Sequence, residues 1–91
     1  MDKLDFAGLT ELLQEGREIE FACKGVRYSI TNRLGYWQFC RDSEPTSTCI
    51  LAPFDDRHLL LTRLAELAPA GIPLPQMFDR GLVDPGSLCI L

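Results

Sequence analysis

Ninety-one residues, 46% hydrophobic and 24% charged, make one domain of ordinary globular composition near the lower size limit for independent folding. No apolar run approaches the ~20 residues that span a bilayer, so a helical membrane protein is excluded. A formal charge of −4 excludes a general phosphate binder, whose affinity would come from many unopposed cations.

The first element is a helix over residues 5–15. Phe6, Leu9, Leu12 and Leu13 recur at helical spacing, Asp2 or Asp5 can cap the start, and Gly16 suits the stop. Gly8 inside it costs about 1 kcal/mol relative to Ala, which close packing against a sheet would offset. Three strands follow, over residues 17–23, 26–31 and 36–41. Lys24-Gly25 forms a two-residue hairpin loop and Asn32-Arg33-Leu34-Gly35 a four-residue one. Folding there aligns three cross-strand rows on one face, Ile19–Ile30–Trp37, Phe21–Tyr28–Phe39 and Cys23–Val26–Arg41. The other face reads Glu18–Thr31–Tyr36, Glu20–Ser29–Gln38 and Ala22–Arg27–Cys40. A one-residue slip would put Trp37 and both Phe residues into water, so this register is expected to be strongly specified.

Residues 42–47 are expected as a loop, because Pro45 and a polar run oppose a continuing strand. Residues 48–51 can form a fourth strand. The most strongly patterned helix covers 55–68, capped by Asp55, with Asp56 near the positive end of its dipole and Leu60, Leu64 and Leu67 in one stripe. Pro69 and Gly71 end it. Residues 75–80 make one short helical turn with Pro75 at the first position, closed by Gly81. After Asp84-Pro85-Gly86, residues 88–91 are an apolar terminal strand. The predicted fold is α+β, a single domain over 1–91. An antiparallel meander of three to five strands carries helices on one face, in the order α-β-β-β-(β)-α-α-β. The tail either adds to a sheet edge or pairs with a second copy of the chain, through Leu88 and Ile90.

Charge is uneven along the chain. Residues 1–20 hold six acids and two bases, the rest seven of each, and residues 24–41 contain Lys24, Arg27, Arg33 and Arg41 without an acid. Arg27 lies diagonally across from Glu20, which predicts a cross-strand ion pair. The N-terminus lacks the basic start and apolar stretch of a secretory signal, so a cytoplasmic location is expected. The four cysteines, Cys23, Cys40, Cys49 and Cys89, show no C-x-x-C spacing and His58 is the only histidine, so no metal site or cofactor is expected. A fourth strand after a six-residue loop would set Cys49 opposite Cys40, within disulfide reach, making that pair the redox candidate.

Signs of catalysis are few. Glu18 and Glu20 share a face, yet their polar neighbours argue for solvation, and acid/base work needs one of them desolvated. His58 has no serine and carboxylate frame around it, and no phosphate loop is present. The aromatic residues Tyr28, Trp37 and Phe39 alternate onto the buried side, leaving Tyr36 alone on the polar one, so direct nucleic-acid binding is not expected.

The segments REIEFACKGVRYSI, GYWQFC and GIPLPQMFDRG resemble parts of small uncharacterised α+β proteins of Firmicutes and their mobile elements. That resemblance covers most of the chain, rests on fold-making residues, and implies a bacterial cytoplasmic protein without transferring a catalytic residue. In size, acidity and order of elements the chain is also similar to some phage-encoded inhibitors of CRISPR nucleases, though it departs from their dense acidic faces. The expectation is therefore a small acidic non-enzymatic protein-interaction module, acting on a protein partner or as a homodimer. Its contact residues would be Glu18, Glu20, Tyr36 and Gln38 on the open face, with Leu88 and Ile90 at the edge. Two alternatives stand beside it: an acidic inhibitor that occupies a nucleic-acid site on a partner protein, and a thiol switch through Cys40 and Cys49.

Overall fold

The structure, a computed structural model, describes residues 4–42 and 44–91, with residues 44–47 described by their backbone alone. Helix α1 (Phe6–Gln14) leads into strands β1 (Ile19–Cys23), β2 (Val26–Arg33), β3 (Tyr36–Arg41) and β4 (Glu44–Pro53). Helix α2 (Arg57–Glu66), a 3-10 turn at Pro69–Gly71, helix α3 (Leu74–Asp79) and strand β5 (Cys89–Ile90) complete the chain. The sheet is antiparallel, in the order β4-β3-β2-β1-β5. The fold is therefore α+β, as the sequence predicts. None of the described helices is long and apolar enough to cross a membrane.

Local chemistry accounts for the helix ends. Asp5 caps α1, its Oδ1 accepting from the Gly8 N–H at 2.8 Å, while Asp2 lies outside the described residues. Asp56, one residue after the expected Asp55, caps α2 by accepting from the Leu59 N–H at 3.0 Å. Gly8 is in close quarters with Leu4 and Asp5 of its own turn, not with the sheet: a β-carbon there would stand 2.7 Å from Leu4 Cδ1.

The first hairpin matches its expected register residue for residue, with Ile19 opposite Ile30, Phe21 opposite Tyr28 and Cys23 opposite Val26. The second does not. Its loop is only Leu34-Gly35, both at positive φ (52° and 87°), and Asn32-Arg33 continue β2. The true pairs are Ile30–Phe39, Asn32–Trp37, Thr31–Gln38 and Arg33–Tyr36, two residues away from the expected rows. A slip of two preserves the face because the pleat repeats every two residues. Trp37 is accordingly fully buried and Gln38 half-buried on the opposite side.

Strand β4 is longer than the four residues expected and takes in part of the predicted loop. Pro45 is tolerated because β4 is an outer strand, where one side needs no ladder partner. Register shifts between Trp37 and Gln38 and again between Phe39 and Arg41 place Cys49 opposite Phe39. The expected Cys40–Cys49 pairing therefore fails. The terminal segment pairs within the chain, Ile90 opposite Ile19 and the Leu91 N–H donating to the Glu18 carbonyl at 2.8 Å.

All three helices cover one face. Leu9 and Leu13 of α1, Leu60 and Leu64 of α2, and Leu74, Met77 and Phe78 of α3 join Ile19, Phe21, Tyr28, Ile30, Trp37 and Phe39 in a single core. Its rings are graded: Tyr28 stacks on Phe39 with centroids 5.5 Å apart, and Phe78 meets Phe21 edge-on at 5.0 Å. Over Trp37 the sheet is closed by Phe54, stacked at 5.5 Å, and by the Arg57 guanidinium, 4.3 Å from the Phe54 centroid. The Phe54 carbonyl accepts from both Trp37 Nε1, at 3.1 Å, and Arg57 Nη1.

A carboxylate far along the chain secures the first bend. Asp84 accepts from the N–H groups of Lys24 (3.0 Å) and Gly25 (2.9 Å), one with each oxygen, and the Asp84 N–H donates to the Ala22 carbonyl at 2.7 Å. Ser87 Oγ accepts from the Ala22 N–H at 3.0 Å. Replacing Asp84 by Ala removes two charge-assisted hydrogen bonds, so urea denaturation should show a loss of about 1–3 kcal/mol. A change under 0.5 kcal/mol would show that the carboxylate does not hold the turn. At the second bend Leu34→Asn should raise stability by about 0.5–1 kcal/mol, because asparagine takes left-handed dihedrals more readily than leucine. The same denaturation series checks this.

Candidate functional site

The helix-free face of the sheet carries most of the residues singled out from the sequence, and strand alternation puts them there. Glu18, Ser29, Thr31, Asn32, Arg33, Gln38, Cys40, Arg41, Asp42 and Thr48 line an open concavity of about 520 Å³ on it. Glu18 and Gln38 both line this concavity, whereas Glu20 and Tyr36 lie outside its lining.

The two glutamates are already engaged. Glu18 Oε2 accepts from the Asn32 N–H at 2.8 Å, and Glu20 Oε1 pairs with Arg27 Nη2 at 3.4 Å, as its diagonal position predicts. Those two side chains are 35% and 44% exposed, so the pair contributes at most about 1 kcal/mol. Ser29, the one buried polar residue among those described, donates to Asp42 Oδ1 at 3.3 Å. The concavity thus offers hydroxyls, an amide and charges of both signs, a surface suited to hydrogen bonding. Among the described residues no three His, Cys, Asp or Glu side chains gather as a metal site. His58 is exposed on α2.

The described acids of residues 1–20 do not form one face. Asp5 is spent as a cap, Glu11 is exposed on α1 and Glu15 just after it, and Glu18 and Glu20 lie on the sheet.

The thiols separate by environment, and all four are free. Cys40 lies against Thr48 Oγ1 at 3.4 Å on the open face, while Cys49, opposite Phe39, belongs to the helix side. Cys23 is buried and donates to the Leu82 carbonyl at 3.4 Å. Burial pushes its pKa up, Asp84 adds to the rise, and Lys24 opposes it. Cys89 sits on β5 opposite Glu20. Of the two predicted edge residues, Leu88 packs against the core and Ile90 is 36% exposed beside Ile19.

At the other end of the sheet, sequence reasoning found Tyr36 but passed over the exposed apolar residues Leu34 and Ile50 beside it. Leu34 is 98% exposed at the tip of the second hairpin, and Tyr36 and Ile50 are 47% and 54% exposed. Ile50 is opposite Gln38, and Pro53 opposite Tyr36, so Tyr36, Gln38, Ile50 and Pro53 form one contiguous stretch of β3 and β4. The Leu34-Gly35 dipeptide is the signal that could have found the tip, read as a two-residue turn in place of Asn-Gly. The chain matches no protein-family model, no curated protein and no solved structure.

Thiol titration with a disulfide reagent at mildly alkaline pH should find Cys49 and Cys89 fast and Cys40 slower. Cys23 should react only after unfolding, being both buried and protonated there. A fast-reacting Cys23 would contradict its placement beneath Leu82.

Proposed function

We propose that the protein is a non-enzymatic interaction module that meets a protein partner through the helix-free face of its sheet, at the end marked by Leu34, Tyr36 and Ile50. Leu34 carries this reading. A leucine at φ 52° is strained, and its side chain is almost wholly in water. The turn requires the left-handed dihedral but not a leucine: an asparagine would meet the same requirement at less cost and without the apolar exposure. Strain and apolar exposure at one position are what a docking residue shows before its partner arrives.

Gln38 stays in the contact set, beside Tyr36 and Ile50. Glu18 and Glu20 act at its margin, since the Asn32 N–H and Arg27 already hold their carboxylates. The setting proposed is the bacterial cytoplasm, following the resemblance. Tail pairing no longer supplies the partner, because β5 pairs with β1 of its own chain.

A photoreactive benzoylphenylalanine at Leu34 or Tyr36 tests the surface. A discrete adduct should form at both positions and not at His58, which is exposed on α2. Adducts at all three positions, or at His58 alone, would sink the reading. Binding through this apolar end should change little with salt, whereas an acidic inhibitor of a nucleic-acid site would lose affinity steeply.

A further inference from the structure

We infer that the partner presents an extended segment in which an acidic side chain and an apolar one, two residues apart, dock on Arg33 and on the Tyr36–Ile50 pair. This rests on the interaction-module reading and states the chemistry of its partner. Strand register brings the contact residues together. Arg33 is directly opposite Tyr36, and Gln38 is opposite Thr31 on one side and Ile50 on the other. Arg33, Tyr36, Gln38 and Ile50 therefore share the helix-free face across β2, β3 and β4, and Arg33 and Gln38 also line the polar concavity.

Charge selects the acid. Arg27 and Arg33 each stand two residues along β2 from a residue level with a glutamate, Ser29 with Glu20 and Thr31 with Glu18. Arg27 takes its glutamate, at 3.4 Å. Glu18 is turned instead to the Asn32 N–H at 2.8 Å, an amide beyond the end of β1. Arg33 is thereby left exposed with no carboxylate among the described residues, in a protein of net charge −4. Its complement is an acid from outside the chain, which the guanidinium fork takes through two parallel hydrogen bonds. Glu18, also lining the concavity, repels a second negative charge, so the site suits one carboxylate and not a polyanion. Spacing sets the apolar residue. Alternate side chains of an extended chain lie on one side, about 7 Å apart. With the acid over Arg33, the next one falls toward Tyr36 and Ile50, which are 47% and 54% exposed and lose contact with water beneath it. Thr31 and Gln38, whose side chains hold no hydrogen bond among the described residues, offer a hydroxyl and an amide to the main chain passing over them.

The probe is an acetylated, amidated pentapeptide of serines with glutamate at its second position and leucine at its fourth. It is titrated into the isotope-labelled full chain and followed by amide NMR shifts. Saturable shifts should appear at Arg33, Tyr36, Gln38 and Ile50 and not at His58 on α2. Exchanging the glutamate for glutamine, or the leucine for alanine, should weaken binding at least about fivefold. Arg33→Glu, at an exposed site that leaves the fold intact, should abolish binding of the glutamate peptide and confer binding of a lysine counterpart. Arg63→Glu, exposed on α2, should do neither. No shifts with the glutamate peptide, or equal binding by the glutamine peptide, would overturn the proposal. Tighter binding of a phosphoserine peptide would also overturn it, by assigning the site to a doubly charged group. Crosslinking at Leu34 and Tyr36 separates the two readings: adducts there without peptide binding keep the open-face partner and remove this chemistry.

Discussion

Both bends of the meander demand two successive residues at positive φ, and the rest of the structure depends on that demand being met. Lys24-Gly25 and Leu34-Gly35 meet it in the same way, with φ of 53° and 79° in the first pair and 52° and 87° in the second. Turns of this hand match the twist of the strands they join. They set β1, β2 and β3 in a register that turns Phe21, Tyr28, Ile30, Trp37 and Phe39 to one side. The helices then have a continuous apolar surface to cover, and the polar side is left open. Glycine supplies half of each bend at no cost; Lys24 and Leu34 supply the other half under strain. The strain is offset differently at the two sites. Asp84 holds the amides of the first turn, while the second has the Phe54 N–H on the Gly35 carbonyl at 2.8 Å.

The letters reveal most of this wherever the rule is local. The Asp5 cap, the Lys24-Gly25 turn, the Arg27–Glu20 diagonal and the face taken by each residue of β1, β2 and β3 follow from spacing, whereas the α2 cap falls one residue after the expected one. The second hairpin was misread by two residues because a pleat of period two conceals such an error: faces come out right and partners wrong. In consequence Tyr36 and Gln38 were legible as open-face residues, but their neighbours Arg33, Thr31, Pro53 and Ile50 were not. The register shifts in β3–β4 are another matter. They accompany the burial of two consecutive residues, Leu51 and Ala52, and nothing in the local sequence announces them. Asp84 was invisible for a different reason, since it acts on residues some sixty positions away.

The electrostatics are settled locally. The run from Lys24 to Arg41 looks like a basic patch when written out, yet its cations have separate destinations. Arg27 goes to Glu20, Arg41 sits over the Tyr28 ring at 5.9 Å, and Lys24 projects from a turn occupied by a carboxylate. Only a fold-level view separates such a dispersed set from a true binding stripe. Arg57 illustrates the same economy: its guanidinium roofs Trp37 and Phe54 and closes the core above β3.

The staple between residues 84–87 and the first hairpin also has a kinetic side. A chain leaving the ribosome presents β1 and β2 early, but the groups that secure their bend and line the free flank of β1 are made long afterwards. Until then Ala22 and the Lys24 and Gly25 amides must be satisfied by water, and Ile19 lacks its neighbour on that flank. Closure over such a sequence separation is slow relative to local hairpin formation. The nascent protein therefore passes through an interval in which its oldest strand is its most exposed one.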